Sequence, residues 1–153
     1  MFDPETRVLS GDFFKFLLDS EGKKALRYTY FFSIFSIELD QAAQTKILPT
    51  LADLIRQSIR NTDLIGRVNG QRFCVILHHI EAQNMYSVGE RIRDRIGCYN
   101  FMLKKRESQW TVSIGGACFP THTPDMQGLL LTADEMLQRA KSAGGNRVHL
   151  PKL

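Results

Sequence analysis

A chain of 153 residues that is 43% apolar can bury one good core and is short for two, so a single domain over residues 1–153 is expected. A net charge of +4 suits a small anionic ligand without calling for DNA or RNA, and charges interrupt every apolar run before it reaches membrane-spanning length. Three cysteines without metal-ligand spacing, behind an acidic N-terminus unlike a secretory signal, point to a reduced compartment and a cytoplasmic protein.

Residues 1–11 read as irregular. Asp12 is placed to cap a helix through about Tyr28, with Phe14, Leu17 and Leu18 on its inner side. Phe31 to Asp40 alternates as a strand, Phe35, Ile37 and Leu39 on one face and Ser36, Glu38 and Asp40 on the other. A helix from about Thr45 to Ile59 carries Ile47, Leu51, Leu54, Ile55 and Ser58 at helical spacing, with Pro49 tolerated near its first turn. Ile65–Val68 and Arg72–Leu77 form the arms of a hairpin about Asn69-Gly70, a pair that favours a type I′ turn. Residues 81–97 form an amphipathic helix with Met85, Val88, Ile92 and Ile96 buried, and Arg91, Arg93 and Arg95 on its flanks or solvent face.

Lys104-Lys105-Arg106 reads as a solvated loop or hairpin turn. Trp110 to Phe119 is a strand whose Gly115 and Gly116 permit a close approach or a bulge. Thr132-x-x-Glu135 is a capping box that opens a helix ending at Gly144, and Arg147 to Leu150 closes the sheet. Helix and strand alternate in the pattern of an α/β sandwich, with a mainly antiparallel sheet and helices on both faces. Cys74 and Cys118 lie in strand patterns as core thiols. His78 and His79 are neighbours on a strand, point to opposite faces and cannot chelate one metal; they read as strand-end polar residues. Cys98, His122 and His149 lack zinc spacing, so no metal site is expected.

Arg60-Asn61-Thr62-Asp63 precedes Asn69-Gly70-Gln71-Arg72-Phe73 at a fixed interval, and in that register the chain resembles the diguanylate cyclase (GGDEF) family. The likeness extends to Asp3-Pro4-Glu5-Thr6, which is similar to the family's Asp-x-Leu-Thr opening, to Phe14, and to the strand Thr111–Gly115. It extends further to Ala133-Asp134 through Ala140-Lys141 and to Gly144–Val148. It implies the nucleotide-cyclase-like fold and an origin in signalling by the bacterial second messenger cyclic di-GMP.

The same resemblance implies that catalysis has been lost. The family condenses two GTP molecules with divalent metal held by acids on the first strand and in the hairpin. Here Gln71 is neutral where a metal-holding acid belongs, and Arg72 is cationic where the second belongs. Glu38 and Asp40 keep carboxylates near the first-strand position. The family's guanine-reading asparagine and aspartate have no counterpart around Gln41-Ala42-Ala43-Gln44, where the chain is shorter. Lys141 matches a phosphate-contacting lysine, but Gly145 replaces its partner arginine. No bound Mg²⁺ and no cyclase activity are expected.

The family's product-binding motif is matched by Arg60 and Asp63, and its further arginine by Arg91. An arginine fork can bond a phosphate or the O6 and N7 acceptors of guanine, while a carboxylate can accept from guanine N1–H and its amine. An isolated Arg-x-x-Asp is also commonly a solvated salt bridge, and Arg91 alone is most simply a solvent-side arginine. The expectation is therefore an inactive GGDEF-like receptor for cyclic di-GMP, with ligand-linked homodimerisation or a partner protein as its output. The alternative is a scaffold or interaction module that binds no nucleotide.

Overall fold

The computed structural model describes residues 1–42 and 45–152. The strands are β1 (Leu9–Ser10), β2 (Phe32–Leu39), β3 (Leu64–Asn69), β4 (Arg72–His78), β5 (Phe101–Leu103), β6 (Arg106–Ser108), β7 (Val112–Phe119) and β8 (Val148–His149). The helices are α1 (Gly11–Tyr28), α2 (Leu48–Ser58, behind a short 3-10 turn), α3 (Ala82–Gly97) and α4 (Met126–Ser142). Six strands form one sheet in the order β1-β3-β4-β2-β7-β8, antiparallel except for the parallel pairs at its two edges. The mainly antiparallel α/β sandwich is as expected.

Side-chain alternation explains the layers. Phe35, Ile37 and Leu39 of β2, with Phe73, Val75 and Leu77 of β4, pack beneath α2 and α3. Phe32 and Ile34, with Cys74 and Ile76, pack on the opposite face beneath α1 and α4. Glu38 and Arg72 share the α1/α4 face by the same parity, directly opposite one another in register, and His78 ends that row.

Several boundaries differ from those expected. α1 is capped by Ser10, whose hydroxyl accepts from Phe13 N at 3.4 Å, and Asp12 falls in the first turn. Phe14, Leu18, Glu21, Gly22 and Ala25 form its buried stripe, while Leu17 is only half-buried. α4 starts earlier than Thr132, because Asp125 Oδ1 accepts from Gly128 N at 2.6 Å and the apolar spacing already begins at Met126. Thr132 and Glu135 are therefore mid-helix, and Glu135 pairs with Arg139 one turn on.

The Asn69–Arg72 turn is not type I′. That form needs two positive φ values, and only Gly70, at 37°, has one. Lys104 and Lys105, at φ 53° and 64°, make the tight turn of the small β5–β6 hairpin instead. Gly115 does permit a close approach: a Cβ there would stand 2.0 Å from Leu137 N and 2.4 Å from Ala133 O. Glycine is what lets α4 lie directly on β7. No helix among the described residues is long and apolar enough to cross a membrane.

Candidate functional site

α2 stops at Ser58, and the chain folds into a tight turn over residues 60–63. Arg60 N donates to Asp63 Oδ2 at 2.9 Å, and Asp63 N donates back to Arg60 O at 3.0 Å. Asp63 Oδ1 also accepts from His78 N at 3.0 Å, tying the turn to the end of β4. Arg60 remains exposed, whereas the Asp63 side chain turns under the loop and is only 3% exposed. Each Asp63 oxygen keeps acceptor capacity beyond its one backbone bond.

Arg91 reaches this corner from α3. Its Nε and Nη2 donate to Ser58 O at 3.2 and 2.8 Å, satisfying a carbonyl that the end of α2 leaves free. Arg60 and Asp63 thus share the turn after α2, and Arg91 is tied to the last carbonyl of that helix. Arg56, Ile59, Arg60, Asn61, Asp63 and Ile65 line an open cleft of about 210 Å³ there. Arg56 was not foreseen; it is held by Asp53 and by Thr6 O.

Behind Asp63 lies a second layer. His78 Nε2 is 3.0 Å from Glu21 Oε1, and its Nδ1 is 3.5 Å from Asp63 Oδ1. Glu21 in turn accepts from the Tyr30 hydroxyl and lies 3.5 Å from Lys24. Contact with Asp63 raises the His78 pKa; burial opposes this and Glu21 adds to it. Burial pushes Asp63 and Glu21 up, but their hydrogen bonds and the imidazole outweigh it, so both sit below the ordinary carboxylate range. His78 ends β4 as expected but also joins a charged cluster that was not, and His79 lies beyond the strand in a turn at φ 59°. The signal was Glu21, a carboxylate on an apolar helix stripe that needed a buried partner.

At the other end of β4, Glu38 forms an ion pair with Lys141, and Arg72 Nε lies 3.4 Å from the same carboxylate. Arg72 Nη1 is 3.4 Å from Asp134 Oδ1, which also accepts from Ser36 Oγ at 2.7 Å. Asp40 accepts from Thr111 Oγ1, Ser113 Oγ and Asn146 N at 2.6, 2.5 and 2.8 Å. Gln71 Nε2 points to the Leu39 and Gln41 carbonyls, 3.4 Å from each. Asn69 and Gly70 are exposed, and Phe73 is fully buried.

The sequence profile of the family described as "Diguanylate cyclase, GGDEF domain" matches residues 1–147. The chain belongs to the GGDEF family. Diguanylate cyclase A of Treponema denticola is 30% identical over 122 residues, covering 80% of this chain and 33% of that protein. The chain spans a third or less of the curated relatives it matches. Among solved structures, the GGDEF domain of TpbB (YfiN) from Pseudomonas aeruginosa superposes with a TM-score of 0.92 at 22% identity, over 100% of this chain and 95% of that one. The GGDEF domain of DgcB from Caulobacter crescentus, in complex with cyclic di-GMP, gives 0.89 at 19% identity over 97% and 92%.

GGDEF cyclases imply a divalent metal, and this GGDEF domain's residues do not fit one. Two protein cations already hold Glu38, donors surround Asp40, and Gln71 faces backbone carbonyls. Among the described residues no three His, Cys, Asp or Glu side chains gather as a metal-holding group. The stretch 41–44, where no counterpart of the family's guanine-reading residues is expected, includes residues 43 and 44, which lie outside the described residues.

Proposed function

We propose that this GGDEF domain is a cytoplasmic receptor that binds cyclic di-GMP at the Arg60–Asp63–Arg91 corner and does not synthesise it. The observation that carries the reading is an exposed Arg60 beside Asp63 in a cleft between α2 and β3, with Arg91 anchored to the Ser58 carbonyl at the end of α2. Two guanidinium groups match the ligand's phosphates and guanine edges, and Asp63, bonded to Arg60 N and His78 N, shapes the turn that presents Arg60. DgcB, of the same fold, binds the same ligand.

The cleft is smaller than the roughly 300–1,000 Å³ of sites that enclose a drug-sized molecule. A cyclic dinucleotide held by one base and its phosphate leaves its other half outside the domain. That half is available to a second copy of the chain or to a partner protein, which makes ligand-linked association the natural output.

The loss of synthesis rests on Glu38. A carboxylate neutralised by Lys141 and Arg72 offers no position for Mg²⁺ beside a triphosphate. GTP with Mg²⁺ is expected to yield no cyclic dinucleotide, and GTP is expected not to bind near Glu38 and Lys141. Product above a contaminant rate, or saturable GTP binding there, overturns this half of the proposal.

Calorimetric titration with cyclic di-GMP tests the other half. Arg60→Ala is expected to weaken binding about tenfold or more, as befits one charge-assisted hydrogen bond to a phosphate or base. Wild type that releases no heat, or an Arg60→Ala variant of unchanged affinity, would return the domain to the class of nucleotide-independent interaction modules.

A further inference from the structure

We propose that His78 is the positioning residue of the Arg60–Asp63 loop: bridging Glu21 of α1 and Asp63, it sets the loop that presents Arg60 and couples ligand affinity to α1. The inference rests on the reading of Arg60, Asp63 and Arg91 as a ligand site, and adds a control to that site.

The geometry is a chain of contacts from helix to ligand corner. Tyr30 bonds Glu21, Glu21 contacts His78 Nε2 at 3.0 Å, and His78 meets Asp63 through both its ring and its backbone N–H. Asp63 then closes on Arg60 N at 2.9 Å. Glu21 and the Asp63 side chain are nearly inaccessible to water, so their negative charges call for cations close by, and His78 is the group placed between the two. His78 Nδ1 is itself buried and lacks a well-formed hydrogen bond, leaving charge attraction as its tie to Asp63.

The groups around the imidazole are few. α1 contributes Glu21 and the Lys24 ammonium, 3.5 Å from Glu21; the segment after α1 contributes Tyr30, whose ring also packs on His79. The 60–63 turn contributes Asp63 and, beyond it, Arg60. The two carboxylates outweigh Lys24, which is well exposed, so the charged ring is the form the cluster favours. Deprotonation leaves one N–H to serve two carboxylates, and the loop loses one of its ties.

Two measurements on the full chain test this. Calorimetry with cyclic di-GMP from pH 6 to 9 is expected to show wild-type affinity falling about tenfold as His78 deprotonates, a loss comparable to one charge-assisted contact. The His78→Gln variant is expected to be flat with pH. Without ligand, the amide resonances of Arg60 and His78, both donors to Asp63, are expected to move with the midpoint of the imidazole ring in wild type. Glu21→Gln keeps the fold readable should His78→Gln fail, and is expected to move that midpoint and the affinity profile to lower pH.

A pH-independent wild-type affinity, a His78→Gln profile that matches wild type, or amides that stay still while the ring titrates would each overturn the proposal. Wild type that binds at no pH would overturn the ligand reading instead. The amide titration then decides alone whether His78 positions the loop.

Discussion

Lys141, in the last turn of α4, forms an ion pair with Glu38, the penultimate residue of β2. Arg72 approaches the same carboxylate from the opposite strand, and Glu38 is 12% exposed between them. Glu38→Gln would leave two cations facing one another without their shared anion. We expect a loss of about 1–2 kcal/mol, below the cost of breaking a fully buried pair because Lys141 and Arg72 retain some access to water. Denaturant titration, read as a shift in midpoint at constant slope, measures it. An unchanged midpoint would mean that the pair contributes nothing.

The Glu21–His78–Asp63 cluster predicts a stability optimum on the acid side of neutrality. His78 is raised in the fold, so its contribution is complete below its unfolded value of about 6.5 and is lost as pH rises through its folded value. Asp63 and Glu21 are lowered, so their contributions are complete above their unfolded values of about 4 and are lost as pH falls through the folded ones. Both are present together between roughly pH 4.5 and 6.5. Thermal melts across pH should decline on either side of that window, and His78→Gln should abolish the alkaline decline and weaken the acid one, because the imidazole also holds Asp63 and Glu21 down.

Gly115→Ala tests the seating of α4 on β7. Its Cβ would lie 2.0 Å from Leu137 N and 2.4 Å from Ala133 O, both backbone atoms, so relief requires moving a whole helix. We expect a loss of about 3 kcal/mol or more, at the upper end for overpacking, or no folded protein. Near-native stability would show that α4 can shift outward at little cost.

The cysteines should divide by accessibility. Cys98 is exposed, while Cys74 and Cys118 are buried. Burial pushes the Cys74 thiol well above its ordinary pKa, which suppresses the reactive thiolate. A thiol reagent should therefore modify Cys98 alone under native conditions and all three cysteines in denaturant. Early labelling of a second cysteine would point to local opening of the sheet.

Much of the fold was legible because its long elements carry a clear period. β2 alternates from Phe35 onward, α3 keeps Met85, Val88, Ile92 and Ile96 on one stripe, and β7 is marked by its paired glycines. β1 was illegible: two residues have no period, and only the parallel pairing of Leu9 with Gly66 and Ser10 with Arg67 defines it. The start of α4 was missed because Thr132-x-x-Glu135 imitates a capping box, although Asp125 provides the real acceptor. At the candidate site, resemblance to the family's motif is what named Arg60, Asp63 and Arg91 together, and no local pattern does so. The inward turn of Asp63 and its bond to His78 depend on a contact across 15 positions, which no local pattern records.

β4 begins at Arg72 and ends at His78, and strand alternation puts both side chains on one face. One end meets Glu38 and Asp134, the other Glu21 and Asp63. A slip of β4 by a single residue would exchange its two faces and drive both cations into the apolar layer under α2 and α3. The strand thus carries its own alignment check at each end: four carboxylates must be met at once, or neither corner of the domain can form.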